Sequence, residues 1–244
     1  MSNISKSDIN DMKSQLVEIS GVSSEILDNE IIKTLVDTSK IVSVANSILN
    51  VLAEKKLTIF LKSLSGDNLS ERQQQKLREY MKKEKRRDFV LELYRKVIES
   101  QTNKAPIVLG VIANEIVFSD KDASHEDLIC INALMQFYDF DFENLTLLHT
   151  YVSRGDRKYF TLYNQKLKDF LSTKKADVTS ITLTLEKCVN LQLIKKEYES
   201  DISVDIDVDG ESADVSNQEV DAFYSFNSVG EKLVTYIKKA KIVE

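Results

Sequence analysis

Aspartates spaced two apart near the C-terminus form the pattern that most resembles a metal site in this chain. Asp205, Asp207 and Asp209 are followed by Gly210, which matches the opening of an EF-hand calcium loop. The twelfth position of that loop needs a bidentate Glu, and Ser216 stands there instead. The same segment alternates polar and apolar residues, as a β-strand does. We therefore expect no metal in this segment, and calcium binding stays open as the alternative.

A second acidic spacing and the histidines are weaker candidates for metal ligands. Asp120-x-Asp122-x-Ser124 has His125 at the position where a calcium loop needs Gly. His125 and His149, the two histidines of the chain, lie in different predicted elements without a neighbouring cysteine cluster. A zinc site needs three or four His, Cys or carboxylate ligands close together. We expect neither a metal nor a cofactor.

The remaining reactive side chains do not form a catalytic pattern. Cys130 and Cys188 lie within apolar periodic segments, where a thiol is typically a core residue. The sequence has no serine in a nucleophile-elbow pattern and no Gly-rich loop that would cradle a phosphate. Carboxylates are numerous, but spacing alone pairs none of them into an acid–base couple. We therefore predict that the protein is not an enzyme.

A basic segment over residues 71–100 is the main candidate for contact with an anionic partner. Ser70 and Gln73 form a capping-box pattern that predicts the start of one helix running to about residue 100. Apolar residues at helical spacing give this helix a buried side, so its charges first of all form a solvated face. The alternative is contact with nucleic acid or with an acidic protein surface. The candidate residues for that contact are Lys82, Lys83, Lys85, Arg86 and Arg87.

An apolar helix is predicted over Ile31–Ala53, where apolar residues recur at helical spacing. A core helix covered on most sides is the main interpretation. The alternative is a membrane-acting defence factor, with Lys55 and Lys56 at the edge of the membrane contact. Polar residues make the segment too polar to span a bilayer; they are Lys33, Asp37, Lys40 and Asn46. Since no leader pattern is present either, we expect a cytoplasmic protein.

Helices are also predicted for the middle of the chain, because the sequence has only six Gly and one Pro to interrupt them. The predicted elements are a helix from Pro106 through Phe118, one over Leu128–Tyr138 capped by Ser124 with Asp127, one over Glu143–Val152 capped by Asp141, and one on which Tyr159, Tyr163, Leu167, Phe170 and Leu171 share a face.

The C-terminal part differs from the rest in charge and in pattern. Residues 176–244 hold 14 acidic and 7 basic side chains, a net charge of −7, whereas residues 1–175 hold 25 and 26, a net charge of +1. We therefore predict a mainly α protein with a helical bundle over 1–175 and a small α+β module over 176–244. The predicted elements of the module are a helix capped by Thr179 or Ser180 and ending near Asn190, a strand over Ile202–Val208, a turn at Asp209-Gly210, a strand over Val220–Phe226, and a helix capped by Ser228 with Glu231.

Two stretches of this module resemble a winged helix-turn-helix domain. Leu185–Ile194 is similar to the end of a recognition helix, and Phe226–Leu233 is similar to the step that follows a wing. The resemblance covers about a quarter of the chain and implies a winged-helix-like module with a long hairpin. Asn190-Leu191-Gln192 replaces the glycine that is usual after the recognition helix, so the turn is expected to differ in shape.

Two further resemblances concern the first part of the chain. Ile31–Leu64 resembles the front of uncharacterised helical proteins of bacteria and prophages, which often end in a winged-helix-like tail. This resemblance implies a role in phage–host conflict. Gly110–Leu145 is similar to the TerB-like helical domain of tellurite resistance. The metal-linked acidic residues of that domain have no one-to-one matches here, so the similarity implies no site.

The charge of the wing changes what the winged-helix resemblance implies. A duplex binder needs a basic recognition helix and a basic wing, whereas here the helix offers only Lys187, beside Glu186. We therefore predict that the module contacts protein, either a partner or a second copy of the chain. The candidate contact residues are Asp205, Asp207, Asp209, Phe223 and Tyr224.

Overall fold

The computed structural model of the protein describes residues 51–65, 70–155, 157–207 and 212–243. The elements in these ranges are α1 Val51–Ser65, α2 Glu71–Met81, α3 Glu84–Glu99, α4 Lys104–Phe118, α5 His125–Leu134, α6 Asp139–Arg154, α7 Gln165–Thr173, α8 Val178–Asn190, β1 Ile194–Asp207, β2 Ser212–Phe226 and α9 Ser228–Lys239. The protein is therefore mainly helical, with a two-stranded antiparallel sheet.

The chain divides into two compact units, each described by itself. The first contains Met1–Asp139 and Tyr236–Ile242, and the second contains Phe140–Thr235. The boundary that the charge distribution predicts near residue 175 falls between α7 and α8 and stays a prediction. Of the apolar helix predicted over Ile31–Ala53, residues 31–50 lie outside the described ranges. Among the described helices, none has the length and apolar character needed to cross a membrane.

The core of the first unit is built on the close approach of α1 and α4. A Cβ placed on Gly110 of α4 would lie 2.7 Å from the Phe60 carbonyl oxygen of α1, so only glycine allows this distance. Two side chains fasten the same contact: Ser63 Oγ donates to the Ile107 carbonyl at 2.6 Å, and Asn114 Nδ2 donates to the Leu64 carbonyl at 2.6 Å.

Lys56 of α1 is buried inside the first unit. Its ammonium donates to the carbonyl oxygens of Ile98 at 3.0 Å and Ser100 at 2.5 Å, at the end of α3. A cation is favourable there because the last carbonyls of a helix carry partial negative charge. Burial lowers the pKa of Lys56. Its place is thus the end of α3, whereas the membrane alternative put it at the edge of a bilayer contact.

The basic segment forms two helices, so the prediction of one helix over 71–100 is wrong. The predicted capping box of Ser70 and Gln73 is confirmed at the start of α2. The apolar stripe of α2 ends at Tyr80 and Met81, and continuing its spacing would bring charged residues into the core. The buried stripe of α3 resumes out of phase, from Arg86 to Val97. A break between the helices lets both stripes reach the core.

Residue-level expectations for α4 and α5 are largely confirmed. Pro106 lies in the first turn of α4, and Ser124 with Asp127 forms the predicted capping box of α5. The α5 helix ends at Leu134, earlier than the predicted Tyr138. Asp127 has a second contact that spacing could not predict: its carboxylate accepts a 2.8 Å hydrogen bond from Tyr236 Oη.

In the second unit, three predicted helix starts are wrong. Asp141 does not cap a helix, because α6 begins at Asp139 and buries Asp141 completely. Asn164 caps α7, so Tyr159 and Tyr163 precede that helix and are 42% and 73% exposed. Asp177 caps α8 in place of Thr179 or Ser180, since its carboxylate accepts hydrogen bonds from both of their backbone amides. A carboxylate satisfies two of the free amides at once.

The predicted hairpin is confirmed, and its strands are longer than predicted. β1 pairs antiparallel with β2 from Ile194 opposite Phe226 to Asp207 opposite Ser212. The register shifts once, because Ser203 faces Asn217 and Val204 faces Val215, which leaves Ser216 without a partner. The tip, with Asp209, lies outside the described residues.

The turn between α8 and β1 forms without the usual glycine. Gln192 takes a left-handed φ of 60°, and the Leu193 amide donates back to the Cys188 carbonyl at 2.9 Å, as in a Schellman motif. Asn227 caps α9, because its Oδ1 accepts from the Gly230 amide at 2.9 Å, so the predicted cap at Ser228 is wrong. A Cβ on Gly230 would lie 2.1 Å from the Leu193 carbonyl oxygen, so glycine is needed there instead.

Candidate interaction surface

Helix α8 is held against α6 by a buried polar network. The Asp141 carboxylate accepts hydrogen bonds from Thr184 Oγ1 at 2.7 Å and from the Lys187 ammonium at 2.5 Å. Asn144, one turn further along α6, donates to Ser180 Oγ at 2.8 Å and to Thr184 Oγ1 at 3.0 Å. The network joins two helices at several points, so it fixes both the position of α8 and its rotation about its axis.

The charge balance of this network depends on Lys187. The Asp141 side chain has no exposed surface, whereas Lys187 is 24% exposed. A carboxylate taken out of water is tolerated only when it is paired and hydrogen-bonded. Lys187 is also the only basic residue of α8. The one cation of this helix is therefore bonded to a carboxylate of its own unit.

The outer side of α8 is joined to the base of the hairpin. Glu186 accepts hydrogen bonds from the Lys196 ammonium at 2.7 Å and from Tyr224 Oη at 2.9 Å. The hydrogen bond from Lys196 lowers the pKa of Glu186, and the carboxylate in turn raises the pKa of Lys196. The Lys196 ammonium also lies 5.5 Å from the centre of the Tyr198 ring. Helix and hairpin thus form one continuous surface.

The exposed stripe of α8 is uncharged apart from Glu186. Leu183 is 62% exposed at the middle of the helix. The stripe follows helical spacing and consists of Thr179, Thr182, Leu183, Glu186 and Asn190. It contains hydroxyl, apolar and acidic groups and no cation, so it suits a protein surface better than a phosphate backbone.

The base of the hairpin belongs to the core of the second unit. Phe160 and Tyr224 exchange two backbone hydrogen bonds, of 3.0 and 2.8 Å, and their rings stack with centroids 5.7 Å apart. Tyr224, predicted as a contact residue, is buried here, and Phe223 is half-buried. Asp205 and Asp207 lie in the outer part of β1. Their role in protein contact stays a prediction.

The basic candidates lie at the corner between α2 and α3. Lys82, Lys83 and Lys85 are exposed, and Arg87 is half-buried. Arg86 differs from the others, because its guanidinium is buried and bonds Asp122 at 2.5 Å and also Asp120. Nucleic-acid contact by these residues stays a prediction, and Arg86 is already bonded to Asp120 and Asp122 within its own unit.

The two histidines belong to different units. His125 is exposed at the start of α5 in the first unit, whereas His149 lies in α6 of the second unit, with Nε2 2.7 Å from Glu231. Among the described residues there is no group of three or more His, Cys, Asp or Glu placed to hold a metal ion. Cys130 and Cys188 are both free and buried.

Comparison with known proteins gives no family assignment. No family model, curated protein or solved structure matches the chain. The candidate surface therefore has to be interpreted from its own contacts.

The residues that hold this surface in position were not predicted from the sequence. Asp141 and Lys187 are 46 residues apart, and Glu186 and Tyr224 are 38 apart. Spacing rules reach only three or four residues along a helix, so they assigned Asp141 to a local cap instead. The one available signal is the i, i+3 placement of Thr184 and Lys187 on α8, which puts a hydroxyl and a cation on neighbouring positions of one side.

Proposed function

We propose that the second unit, Phe140–Thr235, is a winged-helix-like module that contacts protein and not duplex DNA. The order of its elements supports the fold: α6, the bridged residue Phe160, α7, α8, then β1 and β2 as a hairpin. In such a module α8 takes the place of the recognition helix and the hairpin takes the place of the wing.

The observation that carries the proposal is the use of Lys187. A recognition helix that approaches DNA needs cations for the phosphates and donors for base edges. The single cation of α8 is bonded to buried Asp141, and Leu183 and Glu186 occupy the exposed stripe. Protein contact is the activity that this face supports best.

We further propose that the protein acts without catalysis, through these contacts. The Asp141 carboxylate is already hydrogen-bonded to Thr184 and Lys187, and burial raises the pKa of the Cys188 thiol, which disfavours the nucleophilic thiolate. A place in phage–host conflict, and in the cytoplasm of a bacterial cell, remains a proposal from resemblance.

A photo-crosslinking amino acid at Leu183 tests the proposal in the full-length protein. We expect light-dependent adducts with protein, because the α8 stripe lies on the contact surface. The matched control is the same amino acid at Gln75, which is exposed on α2 in the first unit. Adducts with nucleic acid at Leu183, or equal adducts at both positions, would contradict the proposal.

A further inference from the structure

The hairpin has two chemically opposite faces. In an antiparallel pair, residues directly opposite each other lie on the same face, and the face alternates along each strand. Applied to the register of β1 and β2, this rule puts all eight acidic residues of the two strands on one face. This acidic face carries Glu197, Glu199, Asp201, Asp205, Asp207, Asp214, Glu219 and Asp221.

The other face is apolar and, beyond Lys196 at its base, carries no charge. Ser200 and Gln218 are its uncharged polar members. Beyond its base, this apolar face otherwise consists of Tyr198, Ile202, Val204, Ile206, Ala213, Val215, Val220 and Ala222.

The bulge preserves the separation of the two faces. If Ser216 were paired with Val204 in a regular ladder, Val215 and Ala213 would lie on the acidic face and Asp214 on the apolar face. Because the register shifts between Ser203 and Val204, Val215 and Ala213 lie on the apolar face and Asp214 lies on the acidic face. The apolar face therefore continues unbroken along both strands, past the point where a regular pairing would have ended it.

The base of the apolar face is covered by the second unit itself. Ile194 is buried there, Tyr224 is buried against Phe160, and Lys196 is bonded to Glu186 of α8. Further along the same face Tyr198 is 66% exposed and Val220 is 55% exposed. At Tyr198 and Val220 the apolar face of the hairpin is therefore exposed to solvent.

We propose that a second copy of this chain covers the apolar face, packing its own apolar face against it about a two-fold axis. This inference rests on the proposed function and names the partner. In this arrangement both acidic faces point away from the contact, so no carboxylate is buried and the repulsion between copies is smallest. Nucleic acid would instead meet the carboxylates, which repel phosphate.

The size of the face agrees with a dimer. With roughly 100 Å² for each of the five branched aliphatic side chains and roughly 150 Å² for the tyrosine, a contact that used all six would bury about 650 Å² on one copy. Two copies together bury about 1,300 Å², at the lower end of the range for specific interfaces. The dimer is therefore expected to dissociate on dilution and to be best observed at high protein concentration.

Sedimentation velocity of the full-length protein over a series of concentrations tests the proposal with two adjacent substitutions. Val220→Lys puts an ammonium into the contact and is expected to weaken dimerisation about tenfold or more. Asp221→Lys, one residue further on the acidic face, is the matched control and should dimerise as well as the wild type or better. Raising the salt concentration should strengthen the dimer, because it screens the repulsion between like-charged modules.

A disulfide test identifies the face directly. Tyr198→Cys is expected to form a symmetric disulfide-linked dimer under mild oxidation, and Glu199→Cys is not; the native cysteines are buried and do not interfere. A wild type that stays monomeric at every concentration, equal effects of the two lysine substitutions, or a dimer that salt weakens would overturn the proposal. A monomer that still gives protein adducts at Leu183 would overturn the self-association alone and leave the proposed function standing.

Discussion

Each unit contains an ion pair in which one member is buried, and the two pairs are reversed. In the first unit the Arg86 side chain is 10% exposed, whereas Asp120 and Asp122 are 80% and 60% exposed. In the second unit Asp141 is completely buried, and Lys187 is 24% exposed. The same chemistry thus places the cation inside one unit and the anion inside the other.

The difference shows which partner each pair depends on. The guanidinium of Arg86 lies 4.7 Å above the centre of the Tyr80 ring, and a delocalised cation tolerates such a site better than an ammonium does. Asp141 has no comparable surface and depends on its hydrogen-bond donors, among them Thr184 and Lys187. The free energy of unfolding should therefore fall most when the partner of the buried residue is removed, which is the aspartate pair in the first unit and Lys187 in the second.

The largest effect is expected from Lys187→Met. The substitution leaves the Asp141 carboxylate buried without its cation, which should cost about 3 kcal/mol of the free energy of unfolding. Asp141→Asn should cost less, because Lys187 then reaches water. Urea unfolding followed by circular dichroism measures both. Equal losses of unfolding free energy for the two variants would show that a buried Asp141 without its cation is not the cause of the destabilisation.

Lys196→Met is the matched control for that experiment. It removes an ammonium of similar exposure from Glu186, but Glu186 is 42% exposed and can be hydrated. The loss should stay below about 1 kcal/mol, as for other exposed ion pairs. If Lys196→Met lost as much unfolding free energy as Lys187→Met, burial of the carboxylate could not be what makes Lys187 important.

The opposite order is expected in the first unit. The double substitution Asp120→Asn with Asp122→Asn leaves buried Arg86 without a counter-charge, whereas Arg86→Met leaves two carboxylates in water. The urea midpoint should therefore fall further for the double Asn variant than for Arg86→Met. Should Arg86→Met be the more damaging change, the packing of its side chain on Tyr80 would outweigh its charge.

A smaller, pH-dependent effect is expected at Glu186. Lys196 lowers the pKa of this carboxyl below its ordinary value of 4.5. A lowered folded-state pKa adds stability above the unfolded-state pKa, and that stability is lost as the pH falls through the folded-state value. Wild type should therefore lose more stability than Glu186→Gln between pH 6 and about pH 3. Parallel urea midpoints for the two proteins over this range would contradict the assignment.

The smallest effect on stability is expected at the basic corner. Lys83→Glu with Lys85→Glu changes exposed side chains and should leave the urea midpoint close to that of wild type. The same variant tests the nucleic-acid alternative. A salt-sensitive gel shift of wild type that the double variant abolishes would establish this corner, and not α8, as a binding surface.

The sequence predicted those features that depend on neighbouring residues. The capping boxes of Ser70 with Gln73 and of Ser124 with Asp127, which need only residues three apart, are confirmed. The same spacing at Ser228 and Glu231 does not form one, because Asn227 caps α9. Alternation likewise predicted the strand from Ile202 onward. The start of β2 at Ser212 was missed, since its polar first residues have weak strand preference and depend on pairing with β1.

Features that depend on distant residues could not be predicted in the same way. Arg86 looked like one more surface cation, because its partners Asp120 and Asp122 lie 34 and 36 residues further along the chain. Asp141 looked like a helix cap for the same reason. In both cases the sequence contained the charged residue, and only the tertiary contact assigned its role.

The unpaired residue Ser216 also affects how this hairpin tolerates changes in length. Deletion of Ser216 itself would leave a regular ladder in which every β2 residue keeps its face, whereas deletion of one residue beyond the bulge would move the residues between that point and the tip to the opposite face. Natural variants of the hairpin should therefore lose a single residue at the bulge more readily than elsewhere in the outer strands.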